Sequence, residues 1–135
     1  MAALSEPATL LFHPEKQLLE VIWLGPVSSA ALRATYRRVL TYVARHPIRR
    51  LLFDVRQRNR ADWEDEKWVS REFIPRLPKL LAGSGPRLAC LLLPALYDAL
   101  LPESPDGTMT TESELLSLAY FTDRHQALAW LEQPE

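Results

Sequence analysis

Leu51-Leu52-Phe53-Asp54-Val55 is a short apolar run without alternation, set between Arg49-Arg50 and Arg56-Gln57-Arg58. A strand with one face in water alternates apolar and polar residues. An unbroken run of this length instead predicts a strand covered on both faces, as in parallel sheets, and so a central one. Such a strand requires helices on either side of it in the chain, and both are legible. Before it, Leu32, Tyr36, Val39, Leu40 and Val43 recur at helical spacing within an arc of about 100°, and Arg33, Arg37, Arg38 and Arg45 fall within about 140° on the other side. Ser28 or Ser29 offers the cap, and Pro47 stops the helix by pushing the preceding residue out of helical geometry. After the strand, Asp62 offers a second cap, with Asp65 and Glu66 in the first turn where negative charge suits the helix dipole. Trp68, Val69, Phe73 and Leu77 form its apolar face. Pro75 and Pro78 must kink or divide this helix, which ends at Gly83-Ser84-Gly85-Pro86.

Further out, Ala8 to His13 and Gln17 to Leu24 flank Pro14-Glu15-Lys16, the pattern of an opening β-hairpin closed by Gly25-Pro26. Arg87 to Leu93 predicts another buried strand, holding Cys90, and Ala95 to Leu101 a short helix. Pro102 to Thr111, with Pro105 and Asp106-Gly107, reads as an exposed loop. Leu115 to Phe121 fits a last strand, while Glu112 to Leu118 fits equally well as helix. Thr122 or Asp123 then caps a final helix carrying Ala127, Leu128, Trp130 and Leu131. The order is β-β-α-β-α-β-α-β-α. Short right-handed connections turn it into a single mixed, mostly parallel sheet with helices packed against it.

At 135 residues, 47% hydrophobic and 24% charged, the chain fits one α/β domain over 1–135 and excludes disorder as a default. Seventeen acids against 16 bases argue against a dedicated nucleic-acid binder. That neutrality hides an asymmetry: residues 33–60 hold nine arginines against Asp54, and residues 88–135 hold eight acids against Arg124. The bland reading is a solvated helix face with ion pairs to the acidic part; the functional one is an anionic ligand or an acidic partner on the arginine forks. One cysteine, Cys90, forbids a disulfide framework, and with only His13, His46 and His125 no zinc set is spelled out. The amino terminus lacks a signal-peptide pattern and no apolar run approaches the ~20 residues of a membrane helix, so a cytoplasmic location with no membrane partner is expected. The four glycines make no phosphate loop and no serine-nucleophile motif is present. No cofactor is expected.

The order of elements, the strand Leu51-Leu52-Phe53-Asp54 after an amphipathic helix, and the ending Tyr120-Phe121-Thr122-Asp123-Arg124-His125-Gln126-Ala127-Leu128-Ala129-Trp130-Leu131 resemble the STAS/SEC14-like group of bacterial proteins. This group includes relatives of the anti-sigma-factor antagonists. The resemblance spans most of the chain and implies a STAS-like sheet with helices. In signalling members the matching strand is followed by an Asp-Ser-Ser-Gly type motif whose serine is phosphorylated. Here Arg56-Gln57-Arg58-Asn59-Arg60-Ala61-Asp62-Trp63 holds neither serine nor glycine, and Ser70 lies well inside the next helix. A switch of that kind is not expected. Asp62 stands near the phosphoserine position, although helix capping alone explains it.

Open α/β sheets place ligand crevices beyond the carboxyl ends of their strands. That selects Asp54, Arg56, Arg58, Asn59, Arg60, Asp62 and Trp63 as the candidate ligand- or partner-binding residues. Asp54 has no partner carboxylate for acid–base chemistry, and Cys90 on an apolar strand reads as an inert thiol, so no catalytic residue is assigned and no enzyme is expected. Two functions remain. One is a non-enzymatic interaction or regulatory module, contacting a protein partner or a second copy as a homodimer. The other, which the SEC14-like side of the resemblance implies, is a binder of a small anionic or lipid-like ligand in a crevice beside Asp54.

Overall fold

The computed structural model describes residues 6–83, 85–104, 109–111 and 116–134. The unalternating apolar run lies in β3 (Arg50–Asp54), and all five residues of that strand are buried. The hairpin strands β1 (Ala8–His13) and β2 (Leu18–Trp23) pair antiparallel, and β2 then pairs parallel with β3. Next come β4 (Arg87–Leu91) and β6 (Ser117–Phe121), both parallel to β3, and a two-residue edge strand, β5 (Thr110–Thr111), antiparallel to β6. The sheet order is β1-β2-β3-β4-β6-β5. The mixed, mostly parallel sheet expected from the sequence is therefore found, with one correction. Thr110 and Thr111, read as loop, pair with Ala119 and Leu118. Of the choice between a strand over Leu115 to Phe121 and a helix over Glu112 to Leu118, Ser117–Phe121 is strand; Pro105, Asp106-Gly107 and residues 112–115 lie outside the described residues.

The helices start where their caps predict. Helix α1 (Ser29–Arg45) is capped by Ser28, whose hydroxyl accepts from Ala31 N at 3.2 Å, and it buries Leu32, Tyr36, Val39 and Val43. Asp62 caps α2 (Trp63–Trp68) by accepting from Asp65 N at 2.9 Å. Beyond α2 the two prolines divide the helical path. Val69–Phe73 widens into a π turn, Ile74–Arg76 tightens into a 3-10 turn on Pro75, and α3 (Leu77–Leu80) resumes on Pro78. Helix α4 (Pro94–Leu100) contains no fully buried residue. Helix α5 (Arg124–Leu131) is capped by Asp123 through His125 N at 3.0 Å.

Strand alternation assigns two faces. Leu19, Val21, Trp23, Leu51, Phe53 and Leu88 pack under α1 and the divided helix. Leu18, Leu52, Ala89 and Leu91 pack against Ala127 and Leu131 of α5. Two arginines seal the far end of α5, where helical carbonyls lack intrahelical partners. Buried Arg50 donates from Nε to the Leu131 carbonyl at 2.9 Å and from Nη1 to the Gly85 carbonyl at 2.7 Å, and Arg87 Nη1 donates to the Trp130 carbonyl at 2.6 Å. Glu20, the one acid of β2, is 3% exposed on the α5 side and is held by Arg124 and by His13 Nε2 at 2.9 Å.

Candidate functional site

Pro75 and Pro78 deny the second helical segment a straight path, and through Leu96, Tyr97 and Leu100, none of them fully buried, α4 packs on the same face. A cavity of about 650 Å³ remains between them, well within the size of small-molecule sites. Its floor is the sheet: Phe53 of β3, Leu88 and Cys90 of β4, and Leu118 and Tyr120 of β6. Val69, Phe73, Ile74 and Pro78 form one wall, and Leu96 and Leu100 the other. At the carboxyl ends of the strands the loop Arg58-Asn59-Arg60-Ala61 lines it together with Glu66 and Ser70. The wall is thus largely apolar, with polar groups gathered at one end.

The residues selected from sequence separate into two sets. Arg58, Asn59 and Arg60 line the cavity; Asp54, Arg56, Asp62 and Trp63 do not. Asp54 follows Leu52 by two positions, so alternation turns it to the α5 face, where its carboxylate takes Arg56 Nε at 3.0 Å, Arg56 Nη2 at 2.8 Å and Arg56 N at 3.1 Å. That hydrogen bonding raises the affinity of the Arg56 guanidinium for its proton. The open space therefore lies across the sheet from Asp54. Asp62 is occupied as a cap, and Trp63 is 66% exposed with the Lys67 ammonium 3.8 Å from its ring centroid.

Each cationic group at the cavity has a different setting. Arg60 reaches Glu66 at 3.5 Å and Glu103 at 3.8 Å, bridging the loop to the turn after α4. Asn59 Oδ1 accepts from Val27 N at 2.8 Å. Arg58 lies over the Trp23 ring, 4.6 Å from its centroid, and its Nη1 donates to Tyr36 Oη at 3.1 Å. Tyr36 is itself the hub of an aromatic cluster, with ring centroids of Phe73, Trp23 and Phe53 at 4.6, 5.5 and 5.7 Å. Burial raises its hydroxyl pKa, and the charge and hydrogen bond of Arg58 oppose that rise. Burial also pushes the Cys90 thiol up to about 12 and raises the Tyr120 phenol, so both are neutral at ordinary pH.

Tyr36, Cys90 and Tyr120 read in the sequence only as packing residues. The parity that puts Tyr120 beside Cys90, and Cys90 beside Phe53, was available from the strand register alone. The arginine-rich helix face is largely accounted for at home. Arg33 pairs with buried Asp65 at 3.1 Å, Arg38 with Glu6 at 3.1 Å, and Arg33 and Arg37 lie over the Trp68 ring at 5.5 and 5.3 Å. Ser29 Oγ also donates to Asp65 at 2.6 Å, and that hydrogen bond is the main cause of a lowered Asp65 pKa, with Arg33 adding to it. Among the described residues no group of three or more His, Cys, Asp and Glu is placed to hold a metal, and no helix is long and apolar enough to cross a membrane.

No family model matches the chain, and no curated protein matches it in sequence. Among solved structures it is similar to the crystal structure of an uncharacterized protein from the DUF3478 family with a SpoIIAA-like fold, from Shewanella loihica PV-4. The TM-score is 0.58 at 15% identity, over 97% of this chain and 98% of that one. At that identity the likeness concerns the fold, which is SpoIIAA-like and hence STAS-like, as the sequence resemblance implied.

Proposed function

We propose that this chain is a non-enzymatic binding module that takes a small, mostly apolar molecule into the cavity between the divided helix and α4. The observation that carries this reading is the cavity itself, about 650 Å³ of space walled by apolar side chains and roofed by a helix with no buried residue. A cavity of that size and lining can bury most of a small apolar molecule, and its binding would stabilise the fold by mass action. The test is displacement of a neutral polarity-sensitive dye, Nile red, by decanol, in the unaltered protein and in Ser70→Trp, which puts a large ring at the rim. Saturable dye binding that decanol displaces and Ser70→Trp abolishes is the expected result. Binding that is absent, or indifferent to Ser70→Trp, defeats the reading.

A second reading, a regulatory module docking a protein partner or a second copy, is favoured by Trp63. A tryptophan 66% exposed on the first turn of α2 is a residue type enriched in interface anchors. Sedimentation and native affinity capture with the unaltered protein and Trp63→Ala test it. A specific complex lost on that substitution is expected, and a monomer with no specific partner at low and high salt counts against it.

A further inference from the structure

Among the described residues Arg58 differs from the other cations of its loop in having no carboxylate partner. Arg56 is held by Asp54, and Arg60 by Glu66 and Glu103. The carboxylate whose titration feels Arg58 is Asp65, but its oxygens are bound by Ser29 Oγ at 2.6 Å and Arg33 Nε at 3.1 Å. The remaining neighbours of the Arg58 guanidinium, Tyr36 and Cys90, are neutral. Among the described residues Arg58 Nε is buried without a hydrogen-bond partner, and so is the Nε1 of Trp23, the ring beneath it. A buried donor left unpaired costs free energy, more so on a charged group, and the contact with the Trp23 ring offsets only part of that cost. The polar end of an apolar cavity is thus lined by an arginine that has no carboxylate partner among the described residues.

We propose that the cavity's ligand is an apolar-tailed carboxylate whose head group is bound by Arg58, with its chain lying over Phe53, Cys90 and Leu96. This inference rests on the cavity reading and adds the head group to it. A guanidinium fork matches a carboxylate in geometry, and charge-assisted pairs of this kind are about twice as strong as neutral hydrogen bonds. One unpaired cation balances one negative charge, which favours a carboxylate over a phosphate monoester carrying nearly two. The cavity's apolar walls supply affinity for the chain in the manner of other small-molecule sites, where a few polar groups fix orientation.

The experiment is isothermal titration of the full chain with decanoate, decanol and decyl phosphate, repeated on Arg58→Gln and Arg58→Lys. Far-UV circular dichroism of each variant checks that it is folded. Decanoate is expected to bind the unaltered protein about tenfold or more tighter than decanol. Arg58→Gln is expected to remove that margin, and Arg58→Lys to retain part of it. Decanol binding as tightly as decanoate, or Arg58→Gln leaving the margin intact, overturns the head-group assignment and leaves the cavity reading standing. Tighter binding of decyl phosphate than of decanoate overturns the carboxylate in favour of a phosphate head. Failure of decanol and decanoate alike, in a folded protein, defeats the cavity reading and this inference together. If Arg58→Gln does not fold, the same margin read in Arg58→Lys decides: an unchanged margin means the fork is not the contact.

Discussion

The two faces of the sheet are built on the same parallel strands, yet they are covered differently. The register row Glu20, Leu52, Ala89, Ala119 faces α5, and the next row, Val21, Phe53, Cys90, Tyr120, faces the divided helix. Small residues at the centre of the first row let Ala127 and Leu131 of α5 come down onto Ala89 and Leu91, and a smaller cavity of about 230 Å³ lies on that side at the far end of α5, lined by Leu18, Arg50 and Leu131. Aromatic rings in the second row prop their covering elements away from the sheet. A helix broken at Pro75 and Pro78 cannot follow the sheet's twist to fill the gap. Local rules of the same kind, alanines on one side and prolines on the other, thus give a tightly covered face and a more open one.

The largest expected effect separates the faces by truncation. Leu52→Ala, at a fully buried position beneath α5, should cost about 2–5 kcal/mol in urea unfolding, because the closed face relaxes poorly around a new hole. Leu96→Ala, at a partly buried position on the cavity wall, should cost less, about 1 kcal/mol. Equal costs would break the distinction. Enlargement gives the converse, somewhat smaller contrast. Ala89→Met overfills the packed side and should cost about 1–3 kcal/mol. Cys90→Met, one residue along and turned to the cavity, should stay within about 0.5 kcal/mol of the parent.

The contrast explains which parts of the molecule were legible in the chain. Caps at Ser28, Asp62 and Asp123, and the break at Pro75 and Pro78, are decided by a few neighbouring residues, so sequence rules reach them. The burial of β3 was equally plain, but its lack of alternation is also why the side of Asp54 was not. When both faces of a strand are apolar, periodicity does not say which one meets the cavity. Asp54 and Arg56 were thus grouped with Arg58 and Arg60 by closeness in the chain, although the sheet lies between them. Strand β5 was hidden for another reason. Two residues carry no period, and Thr110 and Thr111 are strand only through Ala119 and Leu118. The charge asymmetry misled in part, since Arg33, Arg38 and Arg56 find acids at 65, 6 and 54, whereas Arg60 reaches Glu103 in the acidic part.

The faces also differ in their response to alkali. Cys90, Tyr36 and Tyr120 all line the cavity, and burial raises the pKa of each, the thiol to about 12. In the unfolded chain a thiol titrates near about 8.5 and a phenol near about 10. A raised folded-state value favours the native state fully below the unfolded value, and that advantage is lost as pH climbs toward the folded one. Stability should therefore be level up to about pH 8.5 and decline above it, first through Cys90 and then through the tyrosines. Cys90→Ala should remove the decline between about pH 8.5 and 10 and reduce its slope above that, leaving only what the tyrosines add, as read from urea midpoints across that range. An unchanged slope would mean that the thiol is not shielded from water.

The smallest expected effect concerns a residue that belongs to neither face. Trp63 stands 66% exposed, with Lys67 rather than a core residue against its ring, whereas Trp68, one turn and a half further on, lies 6.2 Å from Tyr36 by ring centroids and takes Arg33 and Arg37 on its surface. Trp63→Ala should change stability by less than about 0.5 kcal/mol, since little apolar area leaves a packed environment. Trp68→Ala should cost clearly more, because it strips the outer wall from the Tyr36 cluster that positions Arg58. Iodide quenching of tryptophan fluorescence supplies the independent check: the unaltered protein should show one readily quenched component, absent from Trp63→Ala. If removing Trp63 instead destabilises the fold as much as removing Trp68, its ring is packed in solution, and the cavity's aromatic wall extends to the start of α2 rather than ending at Trp68.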